Sequence, residues 1–166
     1  MADGSAMPLP VDAGARAAIE ELFAHYAHAI GNDALETWPD FFVEDGQYLV
    51  TTRENHGKGW PIGIMYCDGR GMMQDRVTAL RRAIVFEPHV YRHIVGSILI
   101  AAAPDGGYAV ESHFHILRTN VEGATVTFAT GRYLDEIVGD GGRMQFRKRS
   151  VILDSSRIDT LLVIPL

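Results

Sequence analysis

The rhythm of apolar positions changes once along the chain, near residue 94, and the change predicts the architecture. Before it the spacing is helical. Ile19, Leu22, Phe23, Tyr26 and Ile30 follow Asp12, which is suited to cap a helix N-terminus, and the pattern stops at Gly31-Asn32. A shorter helical turn carries Leu35, Trp38, Phe41 and Phe42, with Pro39 tolerated near its start and Asp45-Gly46 turning the chain. Gln47 to Arg53, rich in Tyr, Val and Thr, predicts a strand; a glycine-punctuated loop then leads to a short strand from Ile62 to Tyr66. Met73, Val77, Leu80 and Ile84 share one face of a second long helix, from Asp68 to about Val85, ahead of Pro88. From Ile94 the pattern becomes long β-like runs: Ile94 to Ala103, Tyr108 to Thr119, Thr125 to Val138 and Arg143 to Leu153. Short turn signals separate them (Pro104-Asp105-Gly106-Gly107, Glu122-Gly123 and Gly139-Asp140-Gly141-Gly142), which predicts an antiparallel meander.

Helices first and a meander afterwards is an α+β pattern, with helices covering the concave face of a curved antiparallel sheet. Strands and helices do not alternate, and no glycine-rich loop joins a strand to a helix, so a doubly wound nucleotide fold is excluded. A chain of 166 residues with 47% hydrophobic content suits one domain, expected over residues 13–166, with residues 1–12 as a flexible tail. The net charge of −6, with Lys and Arg scattered, argues against nucleic acid as a partner. Cys67 stands alone, so neither an internal disulfide nor a four-cysteine metal site is possible. The opening residues lack the basic start and apolar run of a signal peptide, and Ile94 to Ala103 falls short of the ~20 residues of a membrane helix. The expectation is a cytoplasmic protein away from membranes.

Four constellations offer chemistry, and each has a structural rival. Glu111, His113 and His115 alternate along one predicted strand, so they share a face and could clamp a divalent metal. Equally, they could be a polar face turned to solvent or to another subunit, with Val110, Phe114 and Ile116 filling the apolar side. Glu21, His25 and His28 lie on one side of the first helix, either as metal ligands or as its solvated face. Glu87, His89 and His93 have the two-imidazole, one-carboxylate composition of non-haem iron sites. Pro88 disfavours a geometry that would bring them together; Arg92 and His93 then hold a helix-to-strand corner by hydrogen bonds. Finally, Asp45 and Tyr48 with His93 or His113 could move protons inside the cone of such a sheet, as in an isomerase or dehydratase, unless Tyr48 and Trp38 simply pack as core.

Specific strings add what periodicity cannot. The run Trp38-Pro39-Asp40-Phe41-Phe42, then Asp45-Gly46, Tyr48 and Val50-Thr51, resembles a segment of the β (small) subunits of aromatic-ring-hydroxylating dioxygenases. Asp68, Asp75-Arg76-Val77 with Leu80-Arg81, and Tyr91-Arg92-His93 follow in that family's order, as do Gly131, Tyr133 and Asp135, and Arg149, Val151 and Leu153-Asp154. The resemblance extends from Ala17 to Leu166. Asn55-His56, Gly63-Ile64, Asp75-Arg76 and the ending Asp159-Thr160-Leu161-Leu162 with Pro165-Leu166 look most like small subunits acting on aromatic acids. The terephthalate type is the nearest, with anthranilate and salicylate types as close relatives.

The resemblance implies the cone-shaped fold shared with nuclear transport factor 2 (NTF2-like, SnoaL-like) and a subunit without an active site of its own. It implies as partner a catalytic α subunit, in an α3β3 assembly on a β trimer, that holds the Rieske [2Fe-2S] centre and mononuclear Fe(II). A reductase would supply electrons from NAD(P)H for cis-dihydroxylation of an arene. One cysteine cannot ligate a Rieske centre, which needs two. Arg76, Arg81, Arg92 and Arg149 are the residues expected to make charged hydrogen bonds within the β base or toward α.

Overall fold

The computed structural model describes residues 11–83, 88–139, 143–156 and 164–166. Helix α1 (Ala13–Gly31) starts where the Asp12 carboxylate accepts from the Gly14 and Ala15 amides, at 3.0 and 3.1 Å. It buries Ile19, Leu22, Phe23, Tyr26 and Ile30, the stripe that its spacing predicts, and Val11 ahead of it also packs against the core. A 3-10 turn (Leu35–Phe41) follows, then strand β1 (Phe42–Thr52), short helix α2 (Arg53–Gly57), strand β2 (Met65–Asp68) and helix α3 (Arg70–Ala83). Four long strands follow among the described residues: β3 (His89–Ala102), β4 (Tyr108–Asn120), β5 (Thr125–Val138) and β6 (Gln145–Leu153).

The strands form one six-stranded sheet in the order β2-β1-β6-β5-β4-β3. The meander is antiparallel as expected, but β1 joins it parallel to β6, a pairing between segments about a hundred residues apart that no local pattern announces. The curved sheet and its N-terminal helices make the α+β cone.

Several boundaries differ from expectation for identifiable reasons. Asp45-Gly46 does not end an element; it is a bulge inside β1, where the register against β6 shifts between Phe42 and Gln47. A Cβ on Gly46 would come within 2.9 Å of both the Phe42 Cβ and the Val43 carbonyl, so the kink depends on glycine. β2 lies at Met65–Asp68, C-terminal to the expected Ile62–Tyr66, because Met65 to Asp68 are the residues that pair with β1. α3 starts at Arg70, after Gly69 at φ +95°, and α2 arises where the Thr52 hydroxyl accepts from the Asn55 amide. β3 starts at His89, before the apolar run, because β4 extends far enough to pair Asn120 with His89.

The two faces of the sheet separate strand by strand. On β5, Ala129, Gly131, Tyr133, Asp135 and Ile137 are buried beneath the helices; on β4, Val110, Ser112, Phe114 and Ile116 are, while Glu111, His113 and His115 take the other face. Gly131 is the point of closest backbone approach, since a Cβ there would run into the Ile152 carbonyl.

Candidate functional site

The interior of the cone holds the most unusual electrostatics. Arg149 is 1% exposed and forms two hydrogen bonds with Asp135, Nε to Oδ1 at 2.9 Å and Nη2 to Oδ2 at 2.8 Å. Strand register explains the meeting, because Asp135 and Arg149 are direct partners on β5 and β6. Burial alone would push the Asp135 carboxyl up and the Arg149 guanidinium down. At Asp135 burial prevails and its pKa is raised, whereas at Arg149 the facing carboxylate outweighs burial, and the guanidinium stays charged with its pKa raised. Four rings surround the cation, at 4.1 Å for Tyr133 and Phe146, 4.3 Å for Tyr26 and 5.0 Å for Phe23. Their electron-rich faces replace part of its lost hydration.

Beside this pair, Ile164 and Leu166 lie in the core, at 6% and 0% exposure. The Tyr26 hydroxyl donates to the Leu166 main-chain oxygen at 2.9 Å, the Tyr48 hydroxyl donates to the same oxygen at 3.2 Å, and the Leu166 amide donates to the Tyr48 hydroxyl at 2.8 Å. Trp38 Nε1 completes the set by donating to the Tyr26 hydroxyl at 3.2 Å. Burial raises the pKa of both phenols, so both remain donors.

The residues proposed for proton transfer are dispersed. Tyr48 faces the interior from β1, engaged with Leu166, while Asp45 is exposed on the bulge. His93 faces the interior from β3, at the far edge of the sheet from β1. Burial first, and the Arg149 charge second, lower its pKa to about 4, so its imidazole is neutral. His113 is exposed on the opposite face and shares no chamber with Tyr48.

The metal candidates also take other roles. On β4, Glu111 pairs with Arg132 at 3.0 Å and His115 Nε2 lies 2.9 Å from the Thr127 hydroxyl. Glu21, His25 and His28 are exposed on α1 and line a cleft of about 650 Å³ with Asp40, Phe41 and Arg143. Glu87 lies outside the described residues; His89 packs its ring on Tyr91 at 4.5 Å. Among the described residues, no group of three or more His, Cys, Asp or Glu is disposed to hold a metal ion.

Of the four arginines expected at interfaces, Arg149 is interior, as described. Arg81 clamps α3 to the 3-10 turn, donating to both Asp33 carboxylate oxygens at 2.9 Å and to Glu36 at 2.7 Å. Its hydrogen bonds hold the Glu36 carboxyl down to about 2. Arg92 donates to the Gly31 carbonyl at 2.8 Å and so ties β3 to the end of α1, while Arg76 is half-buried on α3. Sequence reasoning missed Asp135 as the counter-charge, although a carboxylate in phase with Gly131, Tyr133 and Ile137 was a readable signal. It also missed Leu166 as the polar partner that Tyr48 shares with Tyr26, which no spacing reveals.

Comparison with known proteins decides the family. A family model described as ring hydroxylating beta subunit matches residues 25–160. The chain belongs to that family. It is 39% identical over 143 residues to the terephthalate 1,2-dioxygenase terminal oxygenase component subunit beta 2 of a Comamonas species, covering 86% of this chain and 93% of that one. To the anthranilate 1,2-dioxygenase small subunit of Burkholderia cepacia it is 36% identical over 141 residues, covering 85% and 88%. Among solved structures, a beta subunit assigned to an aromatic-ring-hydroxylating dioxygenase of Novosphingobium aromaticivorans superposes with a TM-score of 0.83 at 37% identity, covering 92% of this chain and 97% of that one. As a ring-hydroxylating β subunit, the chain is part of an enzyme complex whose partner is an α subunit. No helix among the described residues is long and apolar enough to cross a membrane.

Proposed function

We propose that this β subunit serves an oxygenase of the aromatic-acid type, terephthalate-like, and that it supports the catalytic α subunit without contributing a reacting group. The observation that carries this reading is the identity of 36 to 39%, over most of the chain, to small subunits of dioxygenases named for anthranilate and terephthalate. The cone interior is in keeping with a structural role. Its buried charges neutralise one another in the Arg149–Asp135 pair, and the phenol of Tyr48 is bonded to the chain's own Leu166. In this reading the α subunit holds the Rieske [2Fe-2S] centre and mononuclear Fe(II), and a reductase delivers electrons from NAD(P)H in the cytoplasm. The assembly is α3β3, with residues 13–166 of each β chain folding as one unit. The product is the cis-dihydrodiol of an aromatic acid. A closed threefold assembly suits an obligate, wide interface, and the sheet face that carries Glu111, His113 and His115, partly or wholly exposed, offers a surface for one.

The test is co-expression with the α (large) subunit of its oxygenase, followed by sizing, iron analysis and turnover of anthranilate and terephthalate. The expected result is an iron-containing complex of about six chains that dihydroxylates at least one of these acids, and an isolated β chain that is iron-free and inert. A β chain that stays alone with bound iron, or turns substrate over by itself, contradicts the reading.

A further inference from the structure

Where the end of α1 meets β3, a cavity of about 190 Å³ is lined by Ala27, His28, Gly31, Asn32, Arg92 and His93. Every polar side chain in that lining can donate a hydrogen bond and none is a carboxylate, in a chain whose net charge is −6. The donors are also uncommitted. Both His93 ring nitrogens are buried without a hydrogen-bond partner among the described residues, and the His28 and Asn32 side chains have none there either. Arg92 uses only Nη1, on the Gly31 and Tyr91 carbonyls at 2.8 and 3.1 Å, which leaves the Nε–Nη2 edge of its fork open. Arg149 grips Asp135 by that same edge, whose two parallel N–H groups match the two oxygens of a carboxylate. Gly31 lets Arg92 approach, since a Cβ there would stand 3.2 Å from Nη1 and 3.2 Å from the Tyr91 carbonyl. A helix C-terminus repels anions through its free carbonyls, but here they are occupied. The His28, Ala29 and Ile30 carbonyls accept from the Asn32, Ala34 and Asp33 amides at 2.9, 2.8 and 3.2 Å, and the Gly31 carbonyl accepts from Arg92. Of the acids nearby, Asp33 and Glu36 are held by Arg81, and Glu21 and Asp40 line the larger cleft that shares His28 and Asn32 with this cavity.

We propose that His28, Asn32, Arg92 and His93 form an anion site at the junction of α1 and β3 that takes the carboxylate of a small acid. Arg92 pairs side-on with the two oxygens, His28 and Asn32 donate from the end of the helix, and His93 is the buried member of the set. A single guanidinium as the fixed charge suits a monoanion better than a phosphate dianion. The volume lies below the ~300 Å³ at which sites for drug-sized ligands begin, so the cavity suits a small acid and not a cofactor. A bound carboxylate bridges α1 to β3 and reinforces the link that Arg92 makes through Gly31. The inference does not depend on the proposed function, since it asks no chemistry of the site and names no oxygenase substrate.

The experiment titrates the full-length chain with sodium benzoate at constant ionic strength, following the NMR signals of the Asn32 side-chain amide and the Arg92 Nε–H. Benzamide, close in shape but uncharged, is the control. The expected result is a saturable shift of both signals, with benzamide binding at least about tenfold more weakly. Arg92→Gln should weaken benzoate binding by about tenfold or more and Asn32→Ala by about threefold, each read at the remaining signal, while Arg53→Gln on α2 leaves it unchanged. Asn32 is exposed and its side chain holds no other element, so Asn32→Ala carries the test should Arg92→Gln fail to fold. Shifts that do not saturate, benzamide binding as tightly as benzoate, or an unchanged affinity in either variant overturns the proposal. Inorganic phosphate that binds more tightly than benzoate at the same signals overturns the assignment to a carboxylate.

Discussion

The two faces of the one sheet obey opposite rules. On β4, Val110, Ser112, Phe114 and Ile116 turn inward and are buried, while Glu111, His113 and His115, interleaved with them, turn outward and stay partly or wholly exposed. Inside, a bidentate ion pair is ringed by aromatics and two phenols close on Leu166, while the Ser112 and Tyr133 hydroxyls and the His93 ring nitrogens are buried without a hydrogen-bond partner among the described residues. Outside, the pair of Glu111 with Arg132 is a single contact between groups about 40% exposed. An identical strand therefore supplies rigid filling to one side and an adaptable polar surface to the other. In a subunit whose family works within larger complexes, the chain's stability resides in the first face, and the second is free to meet partners.

The largest expected effect tests the interior. Arg149→Met leaves the Asp135 carboxylate buried without its counter-charge and should cost about 3–5 kcal/mol in urea unfolding. Adding Asp135→Leu should recover most of that loss, since an apolar pair of similar volume replaces two buried charges. A double variant no more stable than the single one would mean that the pair is not an isolated unit.

His93 gives the next effect and carries a sign. Its folded pKa of about 4 lies below the ordinary value of 6.5, so between these pH values the unfolded chain binds the extra proton. Its neutral burial therefore imposes no penalty above pH 6.5, and stability falls as pH drops from there toward 4, by ~3 kcal/mol for a shift of this size. In His93→Phe this part of the pH dependence should vanish when stability is measured across that window. The Arg81 clamp, with Glu36 ionised down to about pH 2, should leave the rest of the window undisturbed.

Smaller again, Tyr48→Phe removes one hydroxyl that both donates to and accepts from Leu166, and should cost about 1–3 kcal/mol by calorimetry. On the outward face, Glu111→Gln or His115→Ala should change the stability of the isolated chain by no more than about 0.5 kcal/mol. A large loss from either outward change would erase the contrast between the faces.

The contrast also explains what the sequence revealed. Alternation in β4 and β5 and the stripe of α1 are local, so the elements, the helix cap at Asp12 and the division of faces were legible. Contacts fixed by non-local register were not. The parallel docking of β1 on β6 sets Tyr48 beside Arg149, and the bulge at Asp45-Gly46 reads locally as a turn. The tyrosine-to-Leu166 bonds cross more than a hundred residues, and Arg149, expected at a subunit contact, is instead fixed inside by its strand partner Asp135. Resemblance to a family supplied the functional reading, because none of the candidate His clusters is distinctive by spacing alone.

A structural interior, with the chemistry left to the α partner, is tested most directly by turnover per bound iron in the co-purified complex, comparing the native β chain with Tyr48→Phe and His93→Gln. Under the proposed function kcat per iron changes by no more than about twofold, whatever the loss in β-chain stability. A fall of about a hundredfold, with iron content and assembly intact, is what loss of a proton-transferring group produces, and it would place a catalytic group in the cone.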